Sequence, residues 1–121
     1  MPVILVVEDN EANLELITRF LRREGHQVLG AADGSAGVSM AEEHVPALIL
    51  MDLGLPGMDG WEATRQIRLN PKCAHIPIVA LTAHSLADDV RKAVAVGFDA
   101  YETKPVVYQR LMSKIKQFVD R

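Results

Sequence analysis

Acidic and other polar residues occur in this chain directly after runs of apolar residues. Glu8 and Asp9 follow the first run, Asp52 the third, Thr82 the fourth and Lys104 the fifth. Three carboxylates held close together suit a divalent cation with oxygen ligands, most plausibly magnesium. A lysine and a hydroxyl beside such a cation suit a phosphoryl group better than a carbonyl substrate. A carboxylate can accept a phosphoryl group without a histidine base, because this chemistry depends mainly on positioning and charge neutralisation.

The elements that would position these residues alternate along the chain. Apolar runs predict strands over Val3–Val7, Gln27–Ala32, Ala47–Met51, Ile76–Leu81 and Phe98–Glu102. Helical spacing predicts helices over Glu11–Glu24, Ala36–His44, Trp61–Leu69, Leu86–Val96 and Val107–Val119. Such alternation predicts an α/β fold: a five-stranded parallel sheet with right-handed crossovers and helices on both faces. Because ligands bind beyond the carboxyl ends of such strands, the polar residues are expected to meet at that edge.

Residues 48–60 show where a strand has to end. The apolar first half is typical of a strand covered on both faces. Pro56 has no amide proton, and the three glycines of this stretch give the backbone freedom to turn. Asp52 therefore lies where the chain leaves the sheet.

A plainer role exists for each of these residues. The two acids after the first strand could simply begin the first helix, and Asp52 could cap the following loop. Thr82 could cap a helix, in competition with Ser85, and Lys104 could be an ordinary surface lysine. Their joint occurrence at the ends of successive strands favours a functional site.

Composition narrows the function classes. With 121 residues and 49% hydrophobic residues, the chain is expected to form one domain, residues 1–121. A net charge of -3, with basic runs no longer than a pair, argues against a nucleic-acid surface. Nothing resembles a membrane span or a signal peptide, which favours a cytoplasmic location and no membrane partner. Cys73 is the only cysteine, so neither an internal disulfide nor a thiolate metal cluster is possible.

Four motifs carry a family resemblance. They are Val7-Glu8-Asp9-Asn10, Met51-Asp52-Leu53 followed by Pro56-Gly57-Met58-Asp59-Gly60, Ala80-Leu81-Thr82-Ala83, and Lys104-Pro105. Together they resemble the receiver domains of two-component response regulators, over essentially the whole chain. The resemblance implies a flavodoxin-like, doubly wound sheet with strand order 2-1-3-4-5. It also implies a phosphoacceptor signalling domain rather than an enzyme, taking phosphate from a sensor histidine kinase or a histidine phosphotransfer protein and dephosphorylating itself.

The resemblance assigns the acidic residues to phosphate and metal. Asp52 would be the phosphoacceptor. Asp9 and Asp52, with the backbone carbonyl of Gly54, would hold magnesium, and Glu8 would support it through water.

The resemblance also assigns residues on the last two strands. Lys104 would contact the phosphoryl group and would be joined to Pro105 by a cis peptide bond. Thr82 and the Ala83 backbone would bind the phosphoryl oxygens. Thr82 and Tyr101 would form the switch pair, in which the hydroxyl moves onto the phosphate and the ring turns inward. As an alternative, Tyr101 is a half-buried strand aromatic.

Two positions that tune phosphate loss in the family stand out here. Gly54, two residues after the acceptor, has no side chain, and His84 lies two residues after Thr82. We expect Gly54 to leave the attacking water less obstructed. For His84 a solvated position at the start of a helix is the simpler interpretation.

The chain ends directly after the predicted fifth helix, so the expected output is a phosphorylation-dependent surface for a downstream protein. In the family this surface is built from the fourth helix, fifth strand and fifth helix, here Val90, Val94, Tyr101, Val106, Tyr108 and Arg110. Val90 and Val94 could instead be core residues. The chain could equally be a piece of a hybrid histidine kinase or of a longer regulator.

Other functional classes fit less well. A flavodoxin-like flavin carrier needs a phosphate-binding loop where this chain has Glu8 and Asp9, which would repel the flavin phosphate. A haloacid-dehalogenase-type phosphatase resembles a pattern with a second aspartate where this chain has Gly54. A pseudo-receiver acting only by binding is disfavoured because the acidic, threonine and lysine set is complete.

Overall fold

The computed structural model describes residues 2–83 and 90–119, in which strands and helices alternate. The strands are β1 Val3–Val7, β2 Gln27–Ala31, β3 Leu48–Asp52, β4 Ile78–Thr82 and β5 Ala100–Thr103. The helices are α1 Glu11–Arg23, α2 Gly34–His44, α3 Gly60–Leu69, α4 Val90–Val96 and α5 Tyr108–Lys116. His84, Ser85 and the predicted start of the fourth helix at Leu86 lie outside the described residues.

The five strands form one parallel sheet in the order β2-β1-β3-β4-β5, which confirms the predicted fold. Val7 of β1 is in register with Met51 of β3, and Asp52 is in register with Leu81 of β4. Since every neighbouring pair is parallel, the carboxyl ends of the strands meet at one edge of the sheet.

The interior strands are apolar because helices cover both of their faces. Every residue of β3 and β4 is buried. On one face Ile49 packs with Ile67 of α3, and on the other Leu50 packs with Ile17 of α1 and Leu111 of α5. Each such side chain stabilises the fold by about 1.5–3 kcal/mol relative to an exposed position. The strand ends that carry the polar residues are therefore held by a packed core.

Side-chain caps begin three of the helices. Asn10, Asp33 and Asp59 each accept a hydrogen bond from the backbone amide three residues on, at 2.8–2.9 Å. α1 is thus capped by Asn10, so Glu8 and Asp9 are not needed for that plainer role. The Asp33 cap also explains why α2 begins two residues earlier than predicted, since the helix starts directly after its cap.

The predicted start of the fourth strand is two residues too early. The apolar run begins at Ile76, but β4 begins at Ile78. The Ile76 carbonyl accepts a hydrogen bond from Arg68 Nη1 at 2.6 Å, and Pro77 has no amide proton for the sheet. The strand instead extends one residue further than predicted and ends at Thr82.

The last strand begins later than predicted, and the last helix is shorter than predicted. β5 begins at Ala100 rather than Phe98, because the Phe98 amide donates to the Ala93 carbonyl at 3.1 Å and closes α4. α5 covers Tyr108–Lys116, within the predicted span. All other described boundaries agree to within one residue.

None of the helices in the described ranges is long and apolar enough to cross a membrane. The longest of them, α1, has 13 residues. A spanning helix needs about 20 apolar residues.

Candidate functional site

The carboxyl edge of the sheet brings the predicted residues together. Asp52 is the last residue of β3 and Thr82 the last of β4. Glu8 directly follows β1, and its amide donates to the Ala31 carbonyl at 2.9 Å. Lys104 directly follows β5, and its amide donates to the Thr82 carbonyl at 2.7 Å. Backbone pairing therefore fixes the places from which these side chains extend.

Three carboxylates form a compact group at this edge. One oxygen each from Glu8, Asp9 and Asp52 lies within 4.8 Å of the others. Glu8 and Asp52 are 1% and 4% exposed, whereas Asp9 faces solvent. This donor set fits a hard divalent cation that keeps water on its open side.

Lys104 is the cation closest to these acids. Its Nζ lies 2.9 Å from Glu8 Oε1 and 3.1 Å from Asp52 Oδ2. One ammonium cannot balance three carboxylates. Among the described residues the site therefore has excess negative charge, which attracts a divalent cation, while the Lys104 ammonium is the group that suits an anionic phosphoryl oxygen.

Backbone geometry orients the central carboxylate. The Gly54 amide donates to Asp52 Oδ1 at 3.0 Å. A Cβ at Gly60 would lie 2.2 Å from the Asp52 carbonyl oxygen, so only glycine allows the chain to return this closely. A Cβ at Gly54, in contrast, would meet only Asp52 Oδ1, at 3.8 Å. Position 54 thus opens directly onto the carboxylate.

The buried acids influence one another's protonation. Burial raises the pKa of Glu8, and its hydrogen bond with Asp52 raises it further. Burial alone would also raise the pKa of Asp52, but hydrogen bonds from Glu8, the Gly54 amide and Lys104 together lower it. Burial would lower the pKa of Lys104, but the two carboxylates outweigh burial and raise it. Asp52 is therefore kept ionised, as a nucleophile or a metal ligand has to be.

The remaining predicted residues lie on or beside β4 and β5. Thr82 is buried, Ala83 is exposed, and the Lys104–Pro105 peptide bond is cis. Tyr101 is 38% exposed and lines a groove of about 290 Å³ between α4, β5 and α5. Thr82 ends β4, and the residues that would show whether it also caps a helix lie outside the described part of the chain.

The predicted output surface is only partly apolar. Val94 is 68% exposed, which makes its alternative assignment to the core wrong. Val106 and Tyr108 pack against the edge of the core, and Arg110 is exposed. The Val90 side chain lies outside the described residues.

Sequence reasoning missed two ion pairs beside these strands. Glu102 on β5 is buried and pairs with Arg110 on α5 at 3.2 Å. Arg68 at the end of α3 pairs with Asp99 at 2.9 Å. A glutamate inside an apolar strand was the available signal for the first pair. The second pair has no local signal, because its members lie 31 residues apart.

Comparison with known proteins decides the family. The family model of the response regulator receiver domain matches residues 4–116. This chain belongs to the response regulator receiver domain family. As a receiver domain it acts in phosphorelay signalling, which implies a kinase as partner.

Relatives of known sequence or structure match this chain over nearly their whole lengths. The polar-differentiation response regulator DivK of Brucella anthropi is 33% identical over 116 residues, which cover 96% of this receiver domain and 94% of DivK. The receiver domain of a sensor histidine kinase from Pseudomonas aeruginosa PAO1 is 37% identical, with a TM-score of 0.90 and coverage of 99% and 98%. That structure has a magnesium ion coordinated in its active-site cleft. The Vibrio cholerae chemotaxis protein CheY4, 24% identical with a TM-score of 0.93 and coverage of 98% and 99%, shares the fold.

Proposed function

We propose that this receiver domain accepts a phosphoryl group on Asp52 from a phosphohistidine of a sensor histidine kinase or a histidine phosphotransfer protein. The observation that carries the proposal is the 4% exposed Asp52 side chain, whose Oδ2 lies 3.1 Å from the Lys104 ammonium. An Asp52 oxygen attacks phosphorus and the P–N bond breaks. The imidazole nitrogen leaves with the bonding electrons and takes up a proton.

The proposed metal ligands are Asp9, Asp52 and the backbone carbonyl of Gly54, with Glu8 acting through a water. Their support is the compact, oxygen-rich cluster with one solvent-facing side. The magnesium in the Pseudomonas aeruginosa receiver domain supports the same choice of ion. When bound, magnesium would neutralise charge on the phosphoryl oxygens.

Lys104, Thr82 and the Ala83 amide are the proposed phosphoryl contacts. The Lys104 ammonium already lies between Glu8 and Asp52, so it needs little movement to reach a phosphoryl oxygen on Asp52. The Thr82 hydroxyl is proposed to move and form a hydrogen bond with the phosphate. The Tyr101 ring is proposed to turn inward, into the space that the moving threonine leaves. The exposed position of Tyr101 beside an open groove is consistent with the unphosphorylated side of such a switch.

The output is proposed to be a protein-interaction surface rather than direct nucleic-acid or membrane binding. The net charge of -3 supports a protein target over nucleic acid. We assign the whole chain, residues 1–121, to one receiver domain, since its five strands form a single sheet. A cytoplasmic location remains a prediction from the sequence.

Self-catalysed dephosphorylation is the finer part of the proposal. Water attacks phosphorus, the bond to Asp52 breaks, and inorganic phosphate leaves with the carboxylate restored. Position 54 is open above this carboxylate, because a Cβ there meets only Asp52 Oδ1 at 3.8 Å. Gly54→Asn should therefore lengthen the phosphate lifetime several-fold, and an unchanged rate of phosphate loss would sink this role of Gly54.

Intact mass tests phosphoryl acceptance. The chain is incubated with acetyl phosphate and magnesium, beside Asp52→Asn and a sample with chelator. The expected result is one added phosphoryl group in the parent and none in either control. Because rapid dephosphorylation can hide the adduct, beryllofluoride is titrated in parallel and followed by Trp61 fluorescence. If neither an adduct nor a beryllofluoride response appeared, phosphotransfer would be ruled out. A constitutive interaction module would then be favoured.

A further inference from the structure

The guanidinium of Arg68 uses all of its donors near the amino edge of the sheet, opposite the acidic site. Nε and Nη2 donate to the Gly97 carbonyl at 3.0 and 2.7 Å. Nη1 donates to the carbonyls of Ala74 and Ile76 at 2.8 and 2.6 Å, and Nη2 also donates to Asp99 Oδ2 at 2.9 Å. The side chain is 20% exposed. Arginine has five N–H donors in a rigid plane, and here each has an acceptor.

Asp99 connects Arg68 to the sheet by hydrogen bonds. Its Oδ2 also accepts from the Ile78 amide at 2.8 Å, and its own amide donates to the Ile78 carbonyl at 2.9 Å. The next pair of the ladder is Val79 with Ala100. Arg68 therefore holds the point at which the pairing of β4 and β5 begins.

The same ladder ends at the phosphoryl site. Thr82 is in register with Thr103, and the Lys104 amide donates to the Thr82 carbonyl at 2.7 Å. β5 has four residues and, within the described part of the chain, pairs with β4 alone. An edge strand this short depends on its ladder for position, and a slip of one residue would turn its side chains to the other face.

We propose that Arg68 is a positioning residue for phosphoryl transfer. It fixes β5 against β4 at the amino edge and thereby places Lys104 beside Asp52 at the other edge. This inference rests on the proposed role of Asp52. The acids follow β1 or end β3, which are interior strands, so their grouping is not expected to depend on Arg68.

The surroundings are shaped for an arginine. Gly97 has φ +114°, and a Cβ there would lie 2.8 Å from Arg68 Nε. A lysine would keep the charge but offers one nitrogen, which cannot reach acceptors on both sides of the guanidinium plane. Arg68→Lys thus changes the arrangement of donors and keeps the charge. Arg65→Lys is the matched control, because Arg65 lies on the same helix, is exposed, and within the described residues has its side-chain hydrogen bonds with Glu62 of that same helix.

The test compares the rate of phosphorylation with magnesium affinity. The parent, Arg68→Lys and Arg65→Lys react with acetyl phosphate at saturating magnesium, and intact mass gives the rate constants. Arg68→Lys should be slower on the order of ten-fold, since small displacements of positioned groups have large kinetic effects. Its magnesium dissociation constant, from calorimetry, should stay within about two-fold of the parent. If Arg68 had a merely structural role, the substitution would leave both the phosphorylation rate and the magnesium dissociation constant unchanged, or would change both together. Either result would overturn the proposal.

A double-mutant cycle shows whether the effect passes through Lys104. In a Lys104→Ala background, Arg68→Lys should change the phosphorylation rate by less than about two-fold. A full-sized effect in that background would overturn the proposal.

The folding of each variant is checked by circular dichroism at the assay temperature. Should Arg68→Lys not fold, Asp99→Asn replaces it under the same criteria, because it weakens the same anchorage while keeping an acceptor for the Ile78 amide. Absence of both the adduct and a beryllofluoride response in the parent would remove the role of Asp52 and this inference together. A phosphorylated parent with an unaffected Arg68→Lys variant would remove the positioning role alone.

Discussion

Two charged clusters lie at opposite edges of the same sheet, one with excess negative charge and one balanced. At the carboxyl edge, Lys104 contacts Glu8 and Asp52, with Asp9 close by, so three carboxylates share one cation. Near the amino edge, Arg68 has an acceptor for every donor, one of them the carboxylate of Asp99. The first cluster has excess charge and the second has none.

This difference separates a ligand site from a support. Grouping like charges at a buried position costs stability, so such a group persists where a ligand completes it. A cluster whose hydrogen bonds are all made internally has nothing left to offer a ligand, and its value lies in what it holds in place. The carboxyl-edge cluster is accordingly the proposed phosphorylation site, and the amino-edge cluster is the proposed support for the strands that lead to it.

Removing Arg68 gives the largest expected change in stability. Arg68→Met removes the arginine donor from three carbonyls and from the Asp99 carboxylate, which keeps the Ile78 amide, and should lower the free energy of unfolding by about 3 kcal/mol. Urea unfolding followed by Trp61 fluorescence measures this. Arg65→Met, at an exposed position, should change the same quantity far less. Equal effects of the two substitutions would contradict the view of Arg68 as a support.

Replacing an aspartate by asparagine should change the free energy of unfolding in opposite directions at the two edges of the sheet. Asp99→Asn weakens a charge-assisted hydrogen bond and should lower the free energy of unfolding by about 1 kcal/mol. Asp9→Asn relieves repulsion among the three acids and, without magnesium, should raise it by roughly 0.5 kcal/mol. Added magnesium should raise the free energy of unfolding of the parent, and it should raise that of Asp9→Asn less.

Parallel urea titrations, with magnesium and with chelator, check this pair of variants. Destabilisation by Asp9→Asn in chelator would mean that the acidic group is already balanced. The distinction between the two clusters would then fail.

A smaller effect is expected on the thiol of Cys73, which lies in the segment that Arg68 holds. Cys73 is fully buried, and burial raises the pKa of its thiol, with Glu42 adding to the effect. Labelling by a thiol reagent needs the thiolate, so the rate should rise with pH and stay low through the ordinary thiol range near 8.5. At fixed pH, Arg68→Lys should label a few-fold faster, because the carbonyls of Ala74 and Ile76 lose their donor. Equal labelling of Arg68→Lys and Arg65→Lys would show that this segment is held by other contacts.

The carboxyl-edge cluster was largely predictable from the sequence. Apolar runs alternating with helical patterns predict a parallel sheet, and parallel strands bring their carboxyl ends together. Asp52, Thr82 and Lys104 could therefore be grouped without knowing any distance. The ion pair of Lys104 with Glu8 was not predictable, because it depends on how far each side chain extends from its strand.

The amino-edge cluster could not be predicted in this way. Arg68 bonds to Gly97 and Asp99, which are 29 and 31 residues away, and no local pattern links them. The misplaced start of β4 has the same origin, since Arg68 occupies the Ile76 carbonyl that the apolar run suggested for the sheet. Long-range hydrogen bonds thus explain the missed cluster, and the bond from Arg68 to the Ile76 carbonyl, eight residues on, explains the wrong boundary.

Locating the phosphoryl group tests the central claim most directly. After reaction with acetyl phosphate and magnesium, borohydride reduces an aspartyl phosphate to the alcohol, and tandem mass spectrometry finds the resulting homoserine. We expect it at position 52 alone, and nowhere in the sample with chelator. Homoserine at position 9, or a phosphorylated chain with an unmodified Asp52, would contradict the account.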